Sequence, residues 1–277
     1  MARFTQVSFL IGAGLVALIV MAALIGPSLT GHDPFAQDLN ARLIPPAFME
    51  GGSPTHWLGT DQLGRDYFTR LLYGARISLM IGLLTVITSG LIGTCLGVLG
   101  GFYGGRIDDV ILFVITCRLS IPVVLVALAV VGLMGSSLTL VVVTLGLLLW
   151  DRFAVVARAT TMQIRALDYV NAAWCAGASS FTIMRQEILP NIAHHLLVVC
   201  TLEIALAILL EASLSFLGLG VPPPLPSWGL MIAEGKDYMF FSAWVILIPG
   251  LALLTLVLGI NLMGDGLRRA FGTQGIK

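Results

Sequence analysis

Ionisable side chains are scarce in this sequence, and a few sit where they are costly. Arg118, Glu203 and Glu211 lie inside long apolar runs. Such groups pair with one another or line a polar pathway, because hydrocarbon solvates neither charge. Arg118 follows Asp108 by ten positions and Glu203 follows Ile192 by eleven. At 1.5 Å per residue both lie about 15 to 17 Å from the same face, which suits a buried Arg118–Glu203 ion pair, with Arg118 facing a pathway or snorkelling to the inner interface as the alternatives. A second group of charges fills "HWLGTDQLGRDYFTRLLYGARISL", residues 56–79, which carries Asp61, Arg65, Asp66, Arg70 and Arg76. Asp61 is placed to cap a helix starting near Gln62. Phe68, Leu71, Leu72 and Ala75 share one face of that helix, as in a short helix lying at a membrane interface. Arg65, Asp66 and Arg70 fall on its other faces, and Asp61, Arg65 and Asp66 are candidates for docking an outer partner.

The motifs of catalysis are missing. A phosphate-binding loop needs Gly, four residues, then Gly-Lys-Ser/Thr. The single Gly-Lys, Gly235-Lys236, is followed by Asp237, and Leu230 stands where the first Gly belongs. Neither HExxH nor GxSxG occurs. His194 and His195 are adjacent, and helix neighbours do not face a common point. Cys95, Cys117, Cys175 and Cys200 have no metal-ligand spacing and read as small apolar packers. The sequence therefore predicts neither an enzyme nor a metal centre.

The elements that position these residues are membrane helices. Hydrophobic residues make up 57% of the chain and charged residues 11%, with mean hydropathy +0.97. A soluble domain is nearer a quarter charged. The formal net charge of zero argues against nucleic acid as a partner. Continuous apolar runs, without the alternation of barrel strands, predict six transmembrane helices at about 8–28, 77–105, 108–134, 136–156, 192–217 and 242–263. The first is too long for a signal peptide and reads as an uncleaved anchor. The chain divides into an anchor and outer loop, 1–76, and a transmembrane domain, 77–277. With the N-terminus inside, inner segments hold Arg3, Arg106, Arg152, Arg158, Arg165, Arg185, Arg268, Arg269 and Lys277. Outer segments hold only Arg42, Arg65, Arg70, Arg76 and Lys236. That bias predicts both termini in the cytoplasm. Gly82, Gly90, Gly93, Gly97, Gly100 and Gly101 crowd the second span, where small residues let helices approach closely, whether in a second chain or in this one.

The inner segment at about 158–191 reads as two short helices joined at Gly177, closed by Leu189-Pro190, a rigid knob below the membrane. It resembles the EAA loop of ABC importer permeases: Glu-Ala-Ala, three residues, Gly, nine residues, Ile-x-Leu-Pro. Asn171, Ala172, Ala173, Gly177, Leu189 and Pro190 occupy the pattern, with Asn171 in place of its Glu and Glu187 in place of its Ile. "GTDQLGRD" (59–66), "EASLSFLGLGVPPPLPSWG" (211–229) and "NLMGDGLR" (261–268) resemble the C-type permease of the dipeptide, oligopeptide and nickel importers.

The resemblance implies an all-α polytopic membrane protein with the type I ABC importer permease fold and a cytoplasmic EAA coupling loop. It implies a non-enzymatic subunit of the bacterial inner membrane, forming half of a pathway for dipeptides or oligopeptides. Its partners would be a second homologous permease in a heterodimer, two ATPase subunits at the coupling loop and an extracytoplasmic binding protein. ATP and magnesium would bind the ATPases and no cofactor this chain. Arg118, Glu203 and Glu211 become pathway candidates as well as pairing candidates, with Arg118 facing the carboxylate of a passing peptide. The alternatives are import of nickel or another small solute and, in a different class, a self-sufficient secondary transporter.

Overall fold

The computed structural model describes residues 2–272. In chain order the helices are α1 (Ala2–Leu29), α2 (Tyr67–Tyr103), α3 (Gly105–Leu119), α4 (Val123–Met134), α5 (Leu138–Leu148), α6 (Asp151–Arg165), α7 (Asp168–Cys175), α8 (Ser180–Ile183), α9 (Leu189–Phe216), α10 (Trp228–Gly235) and α11 (Trp244–Gly272). Among the described residues the only extended pairing is an isolated bridge between Thr60 and Asp66. Five stretches are long and apolar enough to span a membrane: 7–29 in α1, α2, α5 with α6, α8 with α9, and α11. The sixth expected span is α3 with α4, bent by 78° at the break between them. Pro122 precedes α4 and ends the first segment, because proline lacks an N–H and disfavours helix at the residue before it.

Three boundaries differ from the sequence reading. The second span does not begin at 77 after a separate interfacial helix. It is one helix of 37 residues starting at Tyr67, so a division at 76 would cut through it. The cap is Asp66, whose Oδ2 accepts from Thr69 N at 2.8 Å and Thr69 Oγ1 at 2.7 Å. Asp61 instead folds the preceding turn: its Oδ1 accepts from the amides of Leu63 and Arg65 at 2.9 and 3.0 Å. Gly64 completes that turn at φ +74°, where a Cβ would stand 1.8 Å from Asp38 O. At the inner side, α6 continues to Arg165, so the loop proper is shorter than 158–191. Leu189-Pro190 does not close the loop: it lies within the stretch from Ser180 to Phe216, where a π-helical turn, Met184–Ile188, leads directly into α9. Lys277, counted for orientation, lies outside the described residues.

Helix α2 is the centre of the molecule and packs against α1, α5, α6 and α9. Its glycines explain the closest of these contacts. A Cβ on Gly93, Gly97 or Gly101 would stand 2.2, 2.5 or 2.6 Å from the carbonyl oxygens of Trp150, Ala154 and Arg158. This stripe therefore serves packing of α2 on α6 within the chain, not contact with a second permease. Gly82 in the same way admits Ile208 of α9.

At its N-terminal end α2 is locked by charge. Arg65 Nε donates to Asp61 Oδ2 at 2.6 Å, and Arg70 Nε lies 3.2 Å from the same oxygen. The Nη2 atoms of Arg65 and Arg70 donate to Glu234 Oε2 of α10 at 3.2 and 3.0 Å. Arg70 is fully buried, and Asp61 and Arg65 nearly so. The lock is reinforced by Trp228, whose indole donates to Leu71 O at 2.9 Å.

Candidate translocation face and coupling loop

Four ionisable side chains meet at the helix breaks near the middle of the apolar stretches. Asp151 and Arg152 begin α6, halfway along the 28-residue stretch Leu138–Arg165. Arg118 lies in the last turn of α3, just before the bend. The predicted Arg118–Glu203 pair does not form. Arg118 Nε donates to Leu148 O at 2.7 Å, and its Nη2 is 3.8 Å from Asp151 Oδ1. The physical reason is the α5–α6 break: where a helix stops, its last carbonyls lose their partners, and in hydrocarbon they need one. Arg118 supplies it. Glu203 pairs instead with Arg152, whose Nη1 stands 3.1 Å from Oε1. Glu203 is 1% exposed, whereas Arg152 is 57% exposed. A cavity of about 350 Å³ opens beside them, walled by Leu119, Val155, Val199 and Leu202.

Glu211 is not on this face. It is completely buried, accepting from Ser215 Oγ at 2.7 Å and Ser227 Oγ at 2.8 Å. Ser227 also caps α10, accepting from Leu230 N at 3.0 Å. The stretch 211–229 thus folds back on itself, and its glutamate fastens α10 to α9. Asp61, Arg65 and Asp66, expected on an outer docking surface, are likewise buried, the first two in the lock described above.

At the C-terminal end of α2, α7 and α8 form the expected knob. Gly177 turns between them at φ +84°, a left-handed conformation that costs other residues about 1–2 kcal/mol. Val170, Ile183 and Ile188 are completely buried against Val98 and Phe102 of α2 and Ala157 of α6. Trp174 stacks on Phe102 with ring centroids 5.9 Å apart. Asn171, Ala172, Gly177, Leu189 and Pro190 are exposed, and Ala173 partly so. The knob is fixed on its membrane side and bare on the other.

A family model described as "binding-protein-dependent transport system inner membrane component" matches residues 93–273. The N-terminal transmembrane domain of oligopeptide transport permease C matches residues 6–46. The chain belongs to this permease family. It is 40% identical over 261 residues to the dipeptide transport system permease protein of Haemophilus influenzae, covering 94% of this chain and 88% of the relative. It is 43% identical over 253 residues to the di/tripeptide transport system permease protein of Pseudomonas aeruginosa, covering 91% and 84%. Among solved structures, a chain of the inward-facing MetNI methionine ABC transporter shares its fold, with TM-score 0.60 and 20% identity over 73% of this chain and 95% of that one.

The permease is thus a membrane component of an ABC importer, a class that works with ATPase and binding-protein partners, and it is not itself the ATPase. Its sequence conceals two members of the mid-membrane group. Asp151 and Arg152 fall inside the run at 136–156, yet Arg152 was assigned to the inner surface. The polar, amphipathic continuation 152–165 is the signal that the helix runs further, which leaves Arg152 midway along the stretch 138–165.

Gly177 offers a clean test of the knob. A Cβ there would meet nothing within 4 Å, and aspartate tolerates the left-handed region better than most residues. Gly177→Asp is expected to accumulate in the membrane like wild type while transport is lost. Normal transport by this variant would remove the knob from the coupling path.

Proposed function

We propose that this permease forms half of an inner-membrane pathway for dipeptides and short oligopeptides, paired with a homologous permease. A binding protein delivers the solute outside, and two ATPases bind the exposed side of the α7–α8 knob. Both termini lie in the cytoplasm. ATP and magnesium belong to the ATPases, and this chain binds neither. The observation that carries the reading is Arg152: a guanidinium more than half exposed at mid-membrane does not face lipid. It faces a water-filled path or the partner permease lining it. A peptide brings a carboxylate and an ammonium, and Arg152 with Glu203 presents the complementary charges. The names of the relatives support peptides over metal ions.

The test is uptake of labelled dipeptide by proteoliposomes holding the permease pair, the ATPases and the binding protein. Uptake is expected to require ATP, and Arg152→Ala is expected to lower it at least about tenfold, equivalent to about 1.4 kcal/mol, with normal accumulation of the protein. Dipeptide uptake without the ATPase subunits would establish a secondary transporter instead. Unchanged uptake by Arg152→Ala would take this face out of the pathway.

A further inference from the structure

We infer that the outer end of the permease holds a divalent transition-metal site built from His32, His56 and Asp66. The three residues come from separate segments: His32 follows the end of α1, His56 sits in a turn of the outer loop, and Asp66 caps α2. One donor atom from each lies within 4.8 Å of the others. His56 Nδ1 and Asp66 Oδ1 are 2.8 Å apart, and the two imidazole rings have centroids 5.2 Å apart. Zinc bonds to nitrogen and oxygen of about 2.0–2.2 Å in a tetrahedron place donors about 3.3 Å from each other. His56 and Asp66 are already near that spacing, and a small rotation of the exposed His32 closes the set.

The Asp66 carboxylate is divided between two tasks. Its Oδ2 is held by Thr69 N and Thr69 Oγ1, so the helix cap fixes the group and leaves Oδ1 toward the histidines. The turn that carries His56 is pinned by its amide, which donates to Ser53 O at 3.1 Å. His32 and Asp66 also line a cavity of about 510 Å³ that reaches between α1 and α2. It provides an approach for the ion and room for water at a fourth coordination position. Two imidazoles and one carboxylate favour zinc, cobalt or nickel over calcium or magnesium. Bound there, the ion would join the end of α1 to the start of α2.

The experiment uses the full chain, purified with its partner subunits in detergent, freed of any affinity tag and stripped with a chelator. One equivalent of zinc is expected to remain bound after desalting and to raise the melting midpoint by about 5 °C at saturating metal. His32→Ala is expected to lose both effects, whereas replacing His194 and His195 together by alanine leaves them intact. Cobalt in place of zinc is expected to give the strong visible absorption of a four-coordinate site in wild type and not in His32→Ala. Failure of wild type to retain zinc, or equal retention by His32→Ala, would overturn the proposal.

Discussion

Gly97→Leu is expected to remove the folded permease from the membrane. A Cβ at Gly97 would already stand 2.5 Å from Ala154 O and 2.9 Å from Arg158 N, both backbone atoms of α6. Backbone in a helix cannot step aside, so α2 and α6 must separate along their whole contact. Overpacking a core costs about 1–3 kcal/mol where side chains can adjust, and here they cannot. Even Gly97→Ala is expected to reduce accumulation strongly. Gly90 is the control, because a Cβ there would lie 3.5 Å from the Phe153 ring, an ordinary contact. Gly90→Ala is expected to behave like wild type. The measurement is the amount of monodisperse protein recovered in mild detergent, with its melting temperature. Equal behaviour of the two alanine variants would contradict the packing of α2 on α6.

Glu234→Ala is expected to destabilise the outer end of the molecule by about 3–5 kcal/mol, the cost of leaving a buried charge without its partner. Glu234 receives both Arg65 and Arg70, and Arg70 has no exposure to water. Without the glutamate, Asp61 alone must balance two guanidinium groups. Adding Arg70→Met to that variant restores neutrality and is expected to recover part of the loss. Thermal unfolding of the purified protein checks this. A wild-type melting temperature for Glu234→Ala would show that the cluster is not a lock.

How much of this was legible in the sequence depended on the range of the signal. The knob was readable because its signals are local: a glycine that must turn and apolar residues on either side of it; Leu189-Pro190, expected at its end, lies instead in the helix that follows. The six spans were readable because length and hydropathy are sufficient. The outer lock was not, since Arg70 and Glu234 are 164 positions apart and nothing near either names the other. The Arg118–Glu203 expectation failed for a different reason. Depth in the membrane fixes the height of a side chain but not its direction around the helix. The partner that Arg118 takes is a backbone carbonyl, visible only once the break after Leu148 is known. Asp61 was misassigned because an aspartate can cap a helix or fold a turn, and the glycine at 64 decides for the turn.

The unbroken course of α2 has a mechanical consequence. Its 37 residues make a rod about 55 Å long. One end is clamped to α10 through Glu234, and the other carries the stacked Trp174 and Phe102. A rod of that length works as a lever: a tilt of about 1° imposed at the knob end displaces the far end by about 1 Å. With no proline anywhere in the rod to absorb the strain, such a tilt reaches the arginine–glutamate contacts, whose separations of 3.0 and 3.2 Å leave little slack. A force applied at the knob end of such a rod is therefore expected to be felt at the Arg65, Arg70 and Glu234 contacts at its other end.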